Sequence, residues 1–395
     1  MLSEQSAATV RATLPAVGAA LDTITERFYA GLFEAHPELL RDLFNRGNQA
    51  AGTQRQALAG SIAAFATHLL DRPGQRPDAM LQRIAHKHAS LGVTPEQYGV
   101  VHEHLFAAIG EVLGDAVTPE VAAAWDEVYW LMANALIAVE RRLREEHGGP
   151  TWRAWEVVER VAETADVATF RLRPADGGPV RDFLAGQYVS VRVTLTDGAR
   201  QIRQYSLSGA PGPDLRQISV KRVHTAGAPD GEVSNHLHAS VEVGDVLEVS
   251  EPYGDLVLDA DSDTPLLLAS AGIGVTPMTA MLAHLADAGH RAPVTVVHAD
   301  RSPATHALRT DHEAYAAKLP DAAVHLWYEQ DAPAGTHPGL VDLTRVPLAP
   351  GTRAYLCGPL PFMRAVRTQL IAKGVAPADI HYEVFGPDLW LAGQA

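Results

Sequence analysis

The sequence predicts a multidomain fold in which an all-α domain precedes an antiparallel β-barrel and an α/β doubly wound domain. Apolar residues recur at spacings of three and four up to about residue 146, and they alternate with polar residues from 152 to about 259. From 264 onward, buried strands alternate with helices, which is typical of a parallel sheet. A chain of 395 residues also exceeds what one ordinary core accommodates. We therefore place the domains at 1–147, 151–260 and 264–395.

The composition is that of a globular protein and disfavours nucleic acid as a partner. Hydrophobic residues make up 47% of the chain, and the formal net charge of −15 repels a phosphate backbone. No apolar run approaches the roughly 20 residues that span a bilayer, and the N-terminus lacks the pattern of a signal peptide. We therefore expect a cytoplasmic protein, a monomer, whose partners are small molecules. The single cysteine excludes an internal disulfide, so a metal would be held by histidine or by a prosthetic group.

The all-α segment contains two clear helix starts and one histidine on an apolar stripe. "TPEQ" from Thr94 is a capping box, and "TPEV" from Thr118 repeats the Thr-Pro start. In "LQRIAHKHASLG", the apolar stripe consists of Leu81, Ile84, His88 and Leu91, and the polar face of Gln82, Arg83, His86 and Ser90. A hydrogen-bonded core histidine is the simpler interpretation of His88. A proximal haem ligand in an all-helical domain is the sharper one.

Two further stripes carry polar residues that could belong to such a site. The helix before His88 has a stripe that consists of Gln54, Leu58, Ile62, Phe65 and Leu69. Gln54, the polar residue at the end of this stripe, either lies near solvent or contacts oxygen bound to a haem iron. Glu140 lies on a stripe with Leu136 and Leu143, where a carboxylate is costly unless it is partnered or reaches solvent. We favour a partnered carboxylate, because Tyr98 and His88 can supply the hydrogen bonds.

The barrel segment contains a combination of motifs on short strands such as "AWEVVER" and "QYVSVRVTL". "RQYSLS" at 203–208 offers an arginine for a pyrophosphate, a tyrosine to pack on a ring and a serine hydroxyl. A surface strand would explain any one of these residues. The ordered set, with "GQY" at 186–188 before it and "GEVSN" at 231–235 after it, is specific.

The doubly wound segment places small residues at the ends of its strands. "SAGIGVTPM" at 270–278 lies between a buried strand and a helix, where backbone amides can approach a phosphate. "CGP" at 357–359 ends a later strand at the carboxyl edge, and "EVFGP" at 383–387 follows another. The glycine pair alone is weak evidence, but the three features together indicate a nucleotide site.

These motifs resemble the ferredoxin-reductase family over residues 152–395, a flavin-binding barrel followed by a pyridine-nucleotide domain. The resemblance implies that FAD is contacted by Tyr188, Arg203, Gln204, Tyr205, Ser206, Glu232, Val233, Ser234, Val384, Phe385, Gly386 and Pro387. It implies that NAD(P)H is contacted by Gly272, Ile273, Gly274, Val275, Thr276, Pro277, Cys357, Gly358 and Pro359. Phe385 would stack on the flavin and Glu383 would influence the redox potentials. Asp300 and Arg301 leave NADH and NADPH both open.

The chain is also similar to the flavohaemoglobins over essentially its whole length. The similarity is carried by "FYAGLFEAHPELLRDLFN", "NQAAGTQRQAL", "KHASLGVTPEQY" and the motifs above. It implies a globin domain in which His88 is the proximal haem ligand, with Lys87 beside it as a redox-tuning residue. Tyr98 and Glu140 would be the hydrogen-bond partners of that histidine. The distal side would be formed by Tyr29, Phe44, Gln54 and Leu58.

The resemblance implies a nitric oxide dioxygenase that uses haem b, FAD and NAD(P)H to convert NO and O2 to nitrate. A carboxylate that accepts a hydrogen bond from the far ring nitrogen would make the proximal imidazole electron-rich and favour reaction at bound oxygen. Two alternatives stay open. One is an oxygen-binding or sensing globin that its own reductase keeps ferrous, and the other is an NAD(P)H oxidase or flavin reductase.

Overall fold

The computed structural model describes residues 1–212, 214–224, 229–258 and 263–386. The chain forms two compact units. The first comprises Met1–Thr151, Val193–Ile202 and Gly386, the last of the described residues. The second comprises Trp152–Arg192 and Arg203–Phe385.

The first unit contains the predicted all-α domain. Its helices are α1 (Glu4–Ala35), α2 (Pro37–Asp42), α3 (Arg46–Ala50), α4 (Thr53–Asp71), α5 (Asp78–Leu91), α6 (Pro95–Leu113) and α7 (Pro119–His147). Both predicted starts are confirmed, since Thr94 and Gln97 form a capping box and the Thr118 side chain accepts a hydrogen bond from the Val121 amide. Within the described ranges, no helix has the length and apolar content needed to cross a membrane.

A β-hairpin tip also belongs to the first unit and fixes the segment between α2 and α3. The Gln201 side chain is fully buried, and its amide donates to the carbonyls of Leu40, Arg41 and Phe44 at 3.0–3.3 Å. Arg200 lies 3.3 Å from Asp42 in an ion pair. Because α2 is too short to satisfy its own last carbonyls, this amide supplies the donors that the helix end lacks.

The second unit begins with the predicted barrel. Its elements are β1 (Trp152–Ala162), β2 (Val167–Pro174), β3 (Tyr188–Thr194), β4 (Arg200–Ser206), β5 (Arg216–Lys221), α8 (Glu232–Ser240) and β6 (Val246–Ser250). The strand order is β4-β3-β6-β1-β2-β5, and the pairings of β1 with β2 and β6, and of β5 with β2, are antiparallel. An antiparallel bridge between Leu207 and Ile218 joins the two outer strands. The antiparallel barrel is therefore confirmed.

The parallel sheet follows in the same unit. Its elements are β7 (Leu266–Ala271), α9 (Val275–Ala288), β8 (Val294–Asp300), α10 (Arg309–Lys318), β9 (Ala322–Tyr328), β10 (His337–Pro338), β11 (Arg353–Cys357), α11 (Leu360–Ala372) and β12 (Ile380–Glu383). The strand order is β10-β9-β8-β7-β11-β12. Successive strands are added on one side of β7 up to β10 and on its other side from β11, and doubly wound sheets bind ligands at such a switch point. Ala185 and Leu256 of the barrel share a core with Met278 and Met281 of α9.

One predicted helix begins later than expected. The alternation of strands and helices after residue 264 predicts a helix near 305–318, but α10 begins at Arg309. Ser302 and Thr305 cap a short turn instead, and Leu308 adopts a left-handed backbone with φ of 55°. A leucine in this conformation cannot continue a helix from the turn, so α10 starts after it.

Three buried histidines form a cluster beside the parallel sheet. The rings of His298 and His306 stack with centroids 3.9 Å apart, and the His312 ring lies 5.8 Å from each. His298 is hydrogen-bonded to Ser270 and His306 to Tyr328, each at 2.8 Å. Across the part of the chain that the structure describes, no His, Cys, Asp and Glu side chains are arranged to hold a metal ion. Burial disfavours the charged form of all three rings, so the cluster consists of neutral core imidazoles.

We expect this cluster to make the protein less stable in mild acid. Burial lowers the pKa of His312 to about 3, and it lowers the pKa of His298 and His306 as well. The folded state therefore stays neutral while the unfolded chain gains protons below about pH 6.5. Stability is present above that pH, and for His312 it falls by about 1.4 kcal/mol per pH unit as the pH drops toward its folded-state pKa of about 3. The lowered pKa values of His298 and His306 act in the same direction.

The measurement is the thermal-unfolding midpoint of the full chain at about pH 7 and about pH 5. His312→Leu is expected to lose less of its midpoint between these conditions than the parent protein. His337→Asn, a change at an exposed histidine on β10, should behave like the parent. An identical loss in the parent and in His312→Leu would contradict the expectation.

Candidate functional site

His88, Tyr98 and Glu140 form a hydrogen-bonded triad inside the first unit. The Nδ1 atom of His88 lies 2.9 Å from the Tyr98 hydroxyl and 3.0 Å from Oε1 of Glu140. The Tyr98 hydroxyl also donates to Oε1 of Glu140. Glu140 is fully buried on α7, and Tyr98 is 7% exposed on α6. The structure thus brings together three residues that the sequence separates by ten and by 42 positions.

This geometry fixes which nitrogen of His88 is available to a metal. Because the carboxylate oxygen can only accept, Nδ1 must carry the hydrogen, which leaves the Nε2 lone pair free for a ligand. The His88 side chain is 32% exposed, in contrast to the buried Glu140 behind it. Burial, followed by the Glu140 charge, raises the pKa of Tyr98, so this hydroxyl stays a donor. The donor set fits a haem iron bound through Nε2.

The buried face of α5 is not the predicted stripe, because only Leu81 of its four residues is buried, and Ile84, His88 and Leu91 are half-buried. The residues that are buried on α5 are Leu81, Ala85, Ala89 and Ser90. Ser90 had been assigned to the polar face, but its hydroxyl donates to the Lys87 carbonyl at 2.8 Å. That hydrogen bond replaces the one that the hydroxyl would make with water, so a serine can be buried here. Lys87, the predicted redox-tuning residue, is half-buried on the same turn.

Two residues that the sequence analysis did not assign support the triad. Arg144, one turn after Glu140, lies 3.7 Å from Oε2 of that carboxylate and donates to the Val93 carbonyl. Tyr129 donates its hydroxyl to the carbonyl of Tyr98 at 2.6 Å. The spacing of four between Glu140 and Arg144 was a readable signal for the first contact. The second depends on how α6 and α7 pack and has no sequence signal.

The predicted distal residues lie together around Tyr29. Tyr29 is 6% exposed, with its ring centroid 5.9 Å from that of Phe44, and Phe44 and Leu58 pack against the cluster that contains it. Burial raises the pKa of Tyr29, and hydrogen bonds to Gln54 and Gln49 oppose that rise. Gln49 is a further polar residue that the sequence analysis missed. It lies on α3, a five-residue helix without a hydrophobic period to reveal its orientation.

The proposed flavin residues converge from strand β4 and helix α8. The Arg203 guanidinium lies 3.9 Å from Oε2 of Glu232, and the Gln204 amide donates to the Ser190 hydroxyl at 2.9 Å. Burial raises the pKa of Tyr205, which keeps its hydroxyl protonated. Ser206 is 5% exposed, and its Oγ has no hydrogen-bond partner in the described part of the chain. An orphaned buried hydroxyl on this strand fits a bound cofactor that supplies the missing partner.

The "GEVSN" segment opens a helix, not only a turn. Helix α8 starts at Glu232, directly after Gly231, and Val233 is fully buried. The Ser234 hydroxyl accepts from the Val223 amide at 3.1 Å and donates to the Gly231 carbonyl. A helix N-terminus beside Arg203 is a favourable environment for a pyrophosphate. Tyr188, 6% exposed, pairs through its backbone with Tyr253 on the barrel side of this site.

The two predicted nucleotide turns touch at the switch point of the parallel sheet. Gly272–Gly274 follows β7, whereas Cys357 is the last residue of the adjacent strand β11 and Gly358 follows it. A Cβ on Gly274 would lie 2.2 Å from the Cys357 carbonyl oxygen and 2.8 Å from the Gly358 nitrogen. The backbones therefore approach as closely as only glycine permits, which fits a nucleotide cradle. The other members of the predicted set are Ile273, Val275, Thr276, Pro277 and Pro359, with Val275 and Thr276 buried at the start of α9.

We expect Gly274→Ala to abolish most NAD(P)H-dependent flavin reduction. The added methyl overlaps the Cys357 carbonyl, so one of the two turns must move. A loss of at least about tenfold in the flavin reduction rate corresponds to about 1.4 kcal/mol. Stopped-flow absorbance of bound FAD after mixing with NADH or NADPH measures it. Gly110→Ala is the matched control, because its Cβ meets nothing within 4 Å. Reduction at the parent rate in Gly274→Ala would show that the two turns do not hold the nucleotide.

Asp300 and Arg301 occupy different environments at the end of β8. The Asp300 carboxylate is 4% exposed and accepts from the Thr305 hydroxyl and the Arg301 amide at 2.6 and 2.7 Å. The Arg301 side chain is 62% exposed, 3.7 Å from Asp166. The carboxylate is thus engaged within its own turn, which the spacing in the sequence did not reveal.

The last predicted segment is described up to Gly386. Glu383 is 9% exposed on β12 and pairs in register with Cys357 of β11. Burial, and then the Glu383 charge, raises the pKa of the Cys357 thiol. Val384 is half-buried, whereas Phe385 is 46% exposed, an uncommon exposure for a phenylalanine. Pro387 and the following "DLWLAGQA" lie outside the described residues.

Comparison with protein-family models identifies all three parts of the chain. The model described as Globin matches residues 26–136. The model for an oxidoreductase FAD-binding domain matches residues 154–257, and that for an oxidoreductase NAD-binding domain matches residues 268–368. The matched ranges follow the order of the all-α, barrel and doubly wound parts described above.

Similar proteins match over the full length. The chain is 45% identical to a flavohemoprotein of Bordetella pertussis, covering 98% of this chain and 99% of the relative. It is 43% identical to a flavohemoprotein of Chromobacterium violaceum, covering 98% of each. The crystal structure of a flavohemoglobin from Malassezia yamatoensis with bound FAD and heme has a TM-score of 0.90 at 38% identity, covering 98% and 100% of the two chains. The FAD/NAD-binding domain of a nitric oxide dioxygenase from Vibrio cholerae has a TM-score of 0.57 at 39% identity, covering 60% of this chain and 99% of that one.

Proposed function

This chain belongs to the flavohemoprotein family, as an NAD(P)H- and FAD-dependent haem oxidoreductase, and we propose that it is a nitric oxide dioxygenase. When bound, haem would supply the iron at which NO and O2 combine, and NAD(P)H would supply a hydride. FAD would accept that electron pair and pass on single electrons. Each NO needs one O2 and one electron to become nitrate, so one hydride supports two turnovers.

The observation that carries this proposal is the triad of His88, Tyr98 and Glu140. A buried carboxylate that accepts from Nδ1 of His88 increases the basicity of the imidazole at Nε2. A simple oxygen carrier does not need a proximal ligand that pushes electron density toward its iron, whereas an enzyme that must activate oxygen does. The Arg144 guanidinium lies 3.7 Å from Oε2, so the buried carboxylate has a positive charge beside it.

The residues around Tyr29 provide an apolar environment with a polar hydroxyl, unlike the charged surroundings of the triad. The Tyr29 hydroxyl, held by Gln54 and Gln49, is a hydrogen-bond donor among apolar side chains. It is therefore placed to donate to a polar diatomic ligand and to slow its loss. Phe44 and Leu58 pack against the same cluster and add apolar surface beside this hydroxyl. A few hydrogen-bond donors in a largely apolar surrounding favour O2 retention over proton-coupled reduction of oxygen by solvent.

The residues of the second unit bind the two groups that deliver electrons, FAD and NAD(P)H. Arg203 and the N-terminus of α8 offer positive charge for the FAD pyrophosphate, and the Gly274 and Gly358 turns hold the nucleotide. The barrel and the α9 helix that follows the nucleotide loop share one core. This shared core keeps the two binding sites in a fixed relation for hydride transfer.

The test is anaerobic reduction of the purified holoprotein with NAD(P)H, followed by mixing with O2 and NO. We expect NO loss to match nitrate formation, with one NAD(P)H consumed for two NO and little superoxide. An oxidase or flavin reductase would consume NAD(P)H and O2 without NO and release reduced oxygen species. An oxygen-binding globin would form a stable oxygenated spectrum and produce little nitrate at steady state. Either of these results would refute the proposal.

A further inference from the structure

The Gln201 side chain holds the backbone on both sides of Phe44. Its amide nitrogen donates to the carbonyls of Leu40, Arg41 and Phe44 at 3.3, 3.0 and 3.2 Å. Its amide oxygen accepts a hydrogen bond from the Arg46 amide at 3.4 Å. Gln201 is fully buried, so each of these contacts is made away from solvent. One side chain thus bonds to the end of α2, to Phe44 and to the start of α3.

The backbone around Phe44 has little regular structure of its own. Helix α2 ends at Asp42 and α3 begins at Arg46, and the two helices have only six and five residues. Neither of these two helices contains a buried residue. Helices this short are not stable by themselves in water. The position of Phe44 therefore depends on contacts with other elements, and Gln201 supplies hydrogen bonds for it.

Two ion pairs join the hairpin tip to the same segment. The Arg200 guanidinium lies 3.3 Å from Asp42, whose carboxylate also accepts from the Arg200 amide at 3.1 Å. The Arg46 guanidinium lies 2.6 Å from Asp197. Both pairs are partly exposed, and exposed ion pairs contribute little to stability. Breaking a buried hydrogen bond costs more, because the group left behind has no water to bond to, so Gln201 is the stronger constraint.

Phe44 connects this constraint to the proposed oxygen-binding side of the haem site. Its ring lies edge-on to the rings of Tyr29 and Phe33, with centroid distances of 5.9 and 5.3 Å. On the other side of Phe44, helix α3 carries Gln49, whose side chain is hydrogen-bonded to Tyr29. A shift of the segment that Gln201 holds would therefore move an apolar neighbour and a polar neighbour of Tyr29 together.

We propose that Gln201 is a positioning residue for the oxygen-binding side of the haem site. It acts through Phe44 and Gln49, whose placement determines how the Tyr29 hydroxyl is oriented toward a bound diatomic ligand. The inference deepens the proposed function and rests on its assignment of the distal residues. A displacement of about 1 Å caused by a change far from the reacting atoms can cost about 100-fold in rate, so a residue outside the pocket can control it.

Gln201→Met tests the proposal because it removes the amide and keeps an unbranched side chain of similar volume. Three buried carbonyls lose a donor, and the segment around Phe44 is expected to shift. We expect the holoprotein to release O2 at least about fivefold faster, the equivalent of one lost hydrogen bond of about 1 kcal/mol. The C–O stretching frequency of the ferrous CO complex should rise, because the Tyr29 hydroxyl donates less well to the ligand. Stopped-flow replacement of O2 by CO and infrared spectroscopy measure the two effects.

Gln369→Met is the matched control in the second unit. The Gln369 side chain also bridges two backbone groups, donating to the Val341 carbonyl at 3.1 Å and accepting from the Leu343 amide at 2.6 Å. Its loss should lower the stability of the parallel-sheet part and leave both haem readouts unchanged. Parent-like O2 release and C–O frequency in folded Gln201→Met would overturn the proposal. Equal changes in Gln369→Met would do the same.

Gln201→Asn keeps the test decisive if Gln201→Met does not fold. It retains the amide on a side chain that is one methylene shorter, so it reaches fewer of the three carbonyls, and we expect a smaller change of the same sign in both readouts. All variants are measured saturated with FAD, because β4 continues from Gln201 to Arg203 of the proposed flavin site. An unchanged C–O frequency in Gln201→Asn would overturn the positioning role. Failure of the dioxygenase proposal would appear in the nitrate assay, on which neither readout depends.

Discussion

His88→Ala is expected to remove haem and all NO consumption while NAD(P)H oxidation by the flavin continues. His88 Nε2 is the only ring nitrogen that the triad leaves available to iron, because Nδ1 is held by Tyr98 and Glu140. Without it the iron has no proximal ligand. The residues proposed for FAD and NAD(P)H lie mainly in the second compact unit, whose core does not include α5. Loss of the Soret band, with retained NADH–ferricyanide turnover, is the measurement.

His86→Ala is the matched control for this change. It makes the same substitution on the same helix, two residues away and off the face that meets Tyr98 and Glu140. We expect it to retain haem and NO turnover. Continued NO removal by His88→Ala without haem would exclude the proposed mechanism, and loss of haem from both variants would show a general effect on α5.

Glu140→Gln is expected to lower NO turnover by about 10–100-fold while haem is retained, the range typical of residues that orient a metal ligand. The amide has the shape of the carboxylate and can still accept a hydrogen bond from Nδ1 of His88, but it has no charge. The imidazole then donates less electron density to iron. Resonance Raman spectroscopy of the ferrous protein should show a weaker iron–imidazole bond, and the haem potential should rise.

The exposed end of the same helix offers a control for Glu140→Gln. Glu145 is paired with Arg141 at 3.8 Å and its side chain is 71% exposed, so Glu145→Gln should change neither readout. A purely structural role of Glu140 would reduce stability or haem content and leave the iron–imidazole vibration unchanged. That outcome would contradict the electronic role and leave the ligand assignment intact.

The parts of the fold that were predictable depend on local chemistry. Thr94 and Thr118 start helices because their side chains satisfy backbone amides within three residues, so the signal is complete in a short window. Residues 170–174 of β2 alternate because one face of that part of the strand is buried. The apolar run of β7 reflects two buried faces. The late start of α10 was missed because the turn at Asp300 and Thr305 competes with helix formation.

The candidate site was predictable only where a residue type was anomalous for its position. Glu140 on a leucine stripe demanded a partner, and the structure provides Tyr98, His88 and Arg144. Gln49 has no such anomaly, because a glutamine in a short polar segment is ordinary. Its contact with Tyr29 exists only because α3 and α1 meet in space.

The sequence by itself determined the fold class of the three parts and the helix starts at Thr94 and Thr118, because hydrophobic period and capping are properties of neighbouring residues. Tertiary structure decided which groups share a hydrogen bond: Glu140 with His88 across 52 positions, Gln201 with the Phe44 carbonyl across 157 and Gly274 against Cys357. Such contacts depend on the packing of whole elements, and no local pattern encodes the distance between two side chains that only the fold brings together.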